Sequence, residues 1–533
     1  MPILHIDNLG SVGLVKDLRP YRLPPEGWTR LRNARFRDGD LVKFLGHTEV
    51  FEPPSISPYW LLSWPQVTNY VWLYAGLDKV YTVFNTTHTD ITRLAGDYTG
   101  TADDLWNGVL FGGVPVINNG VDNPQSWDGT GNLQDLPNWP SGTKCKVMRG
   151  FKQFLIALNI LKGGGADYYP YMVKWSDLAD PGTVPTSWDE TDPATLAGEN
   201  VLTDTGGFII DGLALNDTFL IYKEDAVYSM RYSGGTYVWT FTKLFESFGA
   251  IAQRCIANFE GQHFVVSYGD ILIHNGQAAR SVIDSHLRKW LFNGELDSNN
   301  RDKVFVAPNY AYNEMWVCYP DTSALNGLPN KALVWNWKEG TWGQRDLPDV
   351  AHIAHGLIDV GEASPIIDTV TTIINDDTNL IDGQPYSRTE LRLLAADPTN
   401  TKLYWMDNGN TFNGALVPFV AEKIGLDISG KDYKGNITID PTTTKFIRAV
   451  YPKLFNDTTG TIAVYVGSQK SVEDTVTWSG PHWFDPSTGQ IKINCRVSGK
   501  LLALRFQNEI DAPLTLYGVG LDMELLGVPA VSL

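Results

Sequence analysis

From about residue 59 onward, apolar and polar positions alternate in runs of four to eight residues separated by tight-turn pairs. A period of two is the mark of a strand with one buried face. NYVWLYAGLDKVYTVF (69–84) holds two such runs around Gly76-Leu77-Asp78, and GVLFGGVPVINNGVDNPQSWDG (108–129) repeats the scheme. VMRGFKQFLIALNI (147–160) and YMVKWSDLADPGTVPTSWD (171–189) follow, and the strongest internal match is FLIYKEDAVYSM (219–230) with HFVVSYGDILIHN (263–275). VAPNYAYNEMWVCYP and KALVWNWKEGTWGQRDLP (306–348) complete six parcels. Strand clusters at a period of roughly 35–60 residues are the signature of propeller blades. The pattern predicts an all-β protein with a six-bladed β-propeller over residues 51–426.

Three segments depart from that rhythm. Aromatic strands thin out over 353–398, where VTTIINDDTNLIDGQPYS carries Asp-centred turns and no Trp, so an insertion or connection is expected there. KLYWMDNGNTFNGALVPFVAEKIGL (402–426) reads as the strand pair that closes the ring. Beyond it the alternating runs lengthen, as in KFIRAVYPKLF and IKINCRVSGKLLALRFQNE, and residues 427–533 read as a C-terminal β-sandwich. Residues 1–50 read as an irregular N-terminal arm with closing strands. Pro20, Pro24 and Pro25 bar a helix through its first half, and Asp38-Gly39 between alternating runs is a hairpin signal.

Composition narrows the function. Of 533 residues, 43% are hydrophobic and only 19% charged, which excludes a disordered chain. The net charge of −18 makes a poor wrapper of nucleic acid, though it suits a surface that DNA slides past. Against this background residues 16–45 carry eight of the 42 Lys and Arg. Arg19, Arg22, Arg30, Arg32, Arg35 and Arg37 are therefore candidate assembly residues, docking on an acidic neighbour; the plainer alternative is pairing with this chain's own Asp and Glu. Cys145, Cys255, Cys318 and Cys495 are scattered without a CxxC and read as buried, reduced thiols of a protein made in a cytoplasm. No apolar run of about 18 residues and no basic-then-apolar leader occurs, so neither a membrane-spanning segment nor a cleaved signal is expected.

Chemistry-bearing motifs are mostly missing. There is no GxxxxGK[ST], GxSxG or HExxH. His352 and His355 lack a third ligand nearby, and Asp407-Asn408-Gly409-Asn410-Thr411 opens like a calcium loop but lacks the later Glu. Trp127-Asp128-Gly129 superficially matches an Asp-box turn without its full order. Eighteen Trp could serve as stacking platforms, but one aromatic per strand pair filling the space between blades is the simpler role. No catalytic, cofactor-binding or metal residue is assigned, no cofactor is expected, and the chain is not read as an enzyme; a propeller glycoside hydrolase is the remaining enzymatic alternative.

Specific phrases carry a resemblance. DLRPYRLPPEGWTRLRNARFRDGDLVKFLGH, VINNGVDNPQSWDGTGNLQDLP, GFKQFLIALN, FLIYKEDAVYSM, GAIAQRCIANFEGQHFVVSYGDILIHNG, IDSHLRKWLF and PLTLYGVGLDMEL together resemble the tail nozzle and tail hub (packaged-DNA stabilisation) proteins of short-tailed bacteriophages. The resemblance spans about three quarters of the chain and rests on phrases, with no catalytic motif. It implies a virion protein made in the host cytoplasm. The expected assembly is a homohexameric ring below the portal and its adaptor ring, near tail fibres or tailspikes, through which genomic DNA passes without sequence-specific binding. A receptor- or glycan-binding tail-fibre propeller is the alternative, although the chain has no heptad stretch or shaft repeat.

Overall fold

The computed structural model describes residues 3–66, 70–235, 237–324, 326–358, 391–431, 437–455, 460–508 and 510–526. Strand accounts for 51% and helix for 5%, so the chain is all-β. Five four-stranded antiparallel sheets follow one another over residues 60–90, 107–135, 144–201, 209–245 and 256–281. A sixth unit (305–346) has the same four-strand order, and a seventh combines His352–Gly356, Arg392–Asp397 and Lys402–Met406 with His47–Glu49. The first strand of each unit packs beside the first strand of the next, and His352–Gly356 packs beside Trp60–Pro65, so the circuit is closed.

Among the described residues the count is therefore seven units where the sequence pattern gives six. The expected insertion at 353–398 hides the difference, because its two ends are strands paired from His352↔Ala396 to Gly356↔Arg392. HIAHG and RLLAAD carry no aromatic residue, and aromatic density was the signal used to count parcels. The VTTIINDDTNLIDGQPYS stretch lies outside the described residues. The expected closing pair over 402–426 is split. Lys402–Met406 joins the seventh unit, whereas Phe419–Leu426 pairs with Leu501–Asn508 among the C-terminal strands.

Tight turns set the strand registers. Asn216 and Glu260 adopt left-handed φ (53° and 44°) in two-residue turns closed by Leu215↔Thr218 and Phe259↔Gln262. The Asp38-Gly39 hairpin forms as expected, with φ of 54° and 81° and strands Ala34–Arg37 and Asp40–Lys43. Such paired positive φ values match the right-handed twist of the flanking strands.

Residues 3–49 are not a free arm. Leu4–Asp7 pairs with the final strand Thr515–Leu526, and Arg30–Arg32 pairs with Phe419–Leu426. The 34–43 hairpin touches Thr341–Asp346 on one side and Thr515–Leu526 on the other. One sheet of ten strands thereby runs from the sixth unit through the N-terminal hairpin into the C-terminal strands. A second sheet (Arg30–Arg32, Phe419–Leu426, Leu501–Asn508, Ile462–Gln469 and Thr477–Phe484) shares one core with it, including Ile447, Val464, Leu504, Phe506 and Leu521. All four cysteines are buried and unpaired.

Neighbouring units are also latched by buried polar groups. Between the fourth and fifth, the Tyr222 hydroxyl lies 2.6 Å from His263 Nδ1 and 2.7 Å from His274 Nε2. The Gly276 N–H donates to His274 Nδ1, and His263 Nε2 lies 3.1 Å from the Ala214 carbonyl. Both tautomers follow. His274 donates from Nε2 to Tyr222, Tyr222 donates to His263 Nδ1, and His263 donates to Ala214. Burial pushes the imidazoles down to about 4 (His263) and about 3 (His274), so both are neutral.

Tyr222→Phe strands one donor and one acceptor and should cost about 1–3 kcal/mol, read as a lower urea midpoint. Because the unfolded imidazoles protonate near their ordinary value of about 6.5 and the folded ones do not, stability should fall as pH drops from 6.5 towards 4, by up to about 1.4 kcal/mol per pH unit for each histidine. His274→Gln should flatten that slope. An unchanged slope would reject the neutral pair.

Candidate functional site

The first strands of all seven units line a single cavity of about 660 Å³ on the axis of the circuit. That size lies within the range of small-molecule sites. Its walls are largely apolar, with Leu62, Val109, Leu110, Leu213, Ile256 and Val306 among them. The polar groups gather on Arg149, Asp211, Arg254, His352 and His355. A polar recess of about 350 Å³, lined by Asp103, Asp104, Lys146, Arg301 and Asp302 among others, lies where several of the same strands begin.

Arg149 and Asp211 form an ion pair at 2.8 Å across adjacent first strands. Arg149 is further tied to the carbonyls of Gly212 and Met148, and Asp211 also accepts from the backbone N–H groups of Gly212 and Arg254. Among the described residues the Arg254 side chain has no acidic partner. Its Nη1 reaches only the Ala351 carbonyl at 3.4 Å, and its buried Nε has no hydrogen-bond partner. Burial pushes this guanidinium down to about 10, so it stays charged at neutral pH. His352 accepts the Leu61 N–H at Nδ1, 3.2 Å away. Burial first, and then the charge of Arg254, holds His352 well below the usual imidazole range, so its Nε2 carries the proton.

The six arginines singled out by charge density divide in two. Arg19, Arg22 and Arg30 are exposed, Arg19 donating to the Tyr21 hydroxyl at 3.2 Å. Arg32 is half satisfied by Asp346 at 2.6 Å, and Arg37 lies 4.1 Å over the Tyr312 ring. Arg35 is 2% exposed and its terminal nitrogens are engaged within the chain, which removes it from any docking face. It grips Asp407 with both terminal nitrogens, at 2.6 and 2.8 Å, and Glu314 at 3.3 Å. Arg345, fully buried, reaches the same Asp407 at 3.3 Å and donates to the Gly46 carbonyl at 2.7 Å. Gly46 itself has no room for a side chain, since a Cβ there would lie 1.8 Å from the Thr411 carbonyl oxygen. The turn at 407–411 thus gives its first carboxylate to two arginines.

Among the described residues no group of three or more His, Cys, Asp or Glu is placed to hold a metal, and no helix is long and apolar enough to cross a membrane. The histidines at 352 and 355 belong to the axial cavity, which spacing along the chain could not reveal.

No family model matches the chain, and no curated protein matches it. Among solved structures, the computationally designed protein Ika8 is 9% identical at a TM-score of 0.34, covering 68% of this chain and 99% of its own. PorZ, a bacterial surface component of the type-IX secretion system of Porphyromonas gingivalis, is 10% identical at 0.35, over 72% of this chain and 43% of PorZ. The AfRom2 CNH domain is 8% identical at 0.35, over 67% and 96%. Likeness at this level carries neither a fold nor a function to the chain.

Asp407→Asn removes one charge from the buried group while keeping its shape. Breaking such a pair should cost about 3–5 kcal/mol, seen as an earlier urea unfolding transition by Trp fluorescence. A midpoint shift of less than about 0.5 kcal/mol, typical of surface substitutions, would show that the group is not structural.

Proposed function

We propose that the chain is a structural virion protein, a ring-forming nozzle or hub of a short-tailed bacteriophage tail, built as a seven-bladed β-propeller with a C-terminal β-sandwich. The observation that carries the reading is the ten-stranded sheet that joins one propeller blade, the N-terminal hairpin and the sandwich. A conduit part must hold its two bodies in fixed relation under load, and an uninterrupted hydrogen-bonded sheet does that without a hinge. The resemblance of the N-terminal, central and closing phrases to nozzle and hub proteins supports the same reading.

In this reading six copies close a ring through heterologous contacts, below the adaptor or portal-side ring and beside tail fibres or tailspikes. Arg19, Arg22 and Arg30 are the exposed cations available for an acidic neighbour. DNA passes between copies, not through the axial cavity, whose 660 Å³ equals only about twenty waters of space at ~30 Å³ each. Six copies at −18 sum to 6 × −18 = −108, and this acidity keeps the exiting duplex from sticking.

Mass measurement and class-averaged micrographs of tails should give six copies and six-fold rings; three copies would favour the fibre alternative. The triple variant Arg19→Glu, Arg22→Glu, Arg30→Glu should melt within about 0.5 kcal/mol of wild type, as surface changes do, yet fail to join tails. Normal assembly of that variant would refute the docking role.

A further inference from the structure

We propose that the axial cavity is a binding site for a small monocarboxylate with an apolar body, such as a medium-chain alkyl carboxylate, held at its head by Arg254. Three observations carry this. The cavity is large enough for such a ligand, and most of its wall is aliphatic. At one point that wall presents a half-buried guanidinium whose Nε is buried without a partner, with no acidic partner among the described residues and a single long hydrogen bond, at 3.4 Å to Ala351. A guanidinium offers five N–H donors, so most of the hydrogen-bonding capacity of Arg254 is unspent. A guanidinium left in this state is ready to take an anion that completes its hydrogen bonds.

The charge tally selects the ligand. Arg149 and Asp211 cancel at 2.8 Å, and every acceptor direction of Asp211 is taken by Arg149 or by backbone N–H groups. The imidazoles of His352 and His355 lie below their ordinary range, so neither adds a charge at neutral pH. Among the described residues the cavity therefore carries one net positive charge, matched by one negative charge. A carboxylate accepts two parallel N–H bonds from a guanidinium fork, and the Nε2–H of His352, which has no partner among the described residues, is a further donor on the same wall. A phosphate monoester would bring up to two charges against one. The alkyl body would lie against Leu62, Val109, Leu213 and Ile256.

The test uses the full chain and sodium decanoate as probe, followed by calorimetry and native mass spectrometry. One decanoate should bind per chain, decanol and acetate should bind at least about tenfold more weakly, and decyl phosphate should bind no better than decanoate. Arg254→Met should weaken decanoate at least about tenfold while leaving the ligand-free protein as stable as wild type or more so, because the half-buried side chain makes only one long hydrogen bond there. Ile256→Trp, which fills the aliphatic part, should weaken binding without touching the head group. No binding to wild type, equal binding to Arg254→Met, tighter binding of decyl phosphate, or a ligand-free Arg254→Met that unfolds earlier than wild type would each overturn the proposal.

Discussion

The carboxylate of Asp407, held between the guanidinium groups of Arg35 and Arg345, is the point on which the architecture converges. With Glu314 it completes two positive and two negative charges in a region closed to solvent. Each ion loses several kcal/mol of hydration on entering such a place and regains it only when every partner is present. Arg35 comes from the N-terminal hairpin, Glu314 and Arg345 from the sixth unit, and Asp407 from the end of the last ring strand. The rings of Phe44 and Trp316 cover the guanidinium faces at 4.4 to 5.2 Å. The arrangement is satisfied only when the ring is closed and the N-terminal hairpin is seated. It thereby selects one strand register at three junctions at once.

Elsewhere the chain uses buried lysines in a different way, as caps for backbone carbonyls where segments cross without a ladder. Lys43 Nζ donates to the carbonyls of Ile510 and Ala512, Lys223 to those of Leu202 and Thr205, and Lys423 to those of Leu23 and Pro24. Lys445 bridges the carbonyls of Asp440 and Lys500. Carbonyls in irregular segments have no strand neighbour, and an ammonium with three donors serves two of them. For Lys423 burial pulls the ammonium down to about 7, so this cap is bought at a cost in charge. Arg254 is the contrast: a half-buried cation whose donors find almost nothing.

Much of the ring was legible in the sequence because it is locally encoded. The two-residue turns at Asn216-Asp217 and Glu260-Gly261 and the hairpin at Asp38-Gly39 can be read from residue type alone, since each demands a left-handed backbone. The seventh unit was not legible. Its first strand borrows Trp60 and Phe305 from neighbouring units, which lie 6.3 and 6.0 Å from the His352 ring, in place of an aromatic of its own. Its fourth strand, His47–Glu49, lies at the other end of the chain from Lys402–Met406. The site was less legible still. Charge density singled out Arg35 with Arg19, yet one is enclosed and the other exposed, because a strand buried on both faces leaves no periodic trace of polarity. Arg149, Asp211 and Arg254 stand far apart in sequence and meet only because three units converge on one axis, Arg254 lying just ahead of the strand Ile256–Phe259. Asp407 carried a local signal, a turn rich in Asn and Gly, whose partner was an arginine pair rather than a calcium ion.

The pairing of Leu4 with Leu521 sets an order on biosynthesis. At roughly 5–20 residues per second, the first strand waits about 25–100 s after leaving the ribosome before its partner has been made. The five middle sheets, built from neighbouring segments, are free to form as they emerge. The N-terminal segment, with its unpaired strand edges, has to remain uncommitted beside them throughout that interval. Seating of the first strand is therefore gated by synthesis of residues 515–526, and a chain stalled before them would display those edges to any other nascent copy nearby.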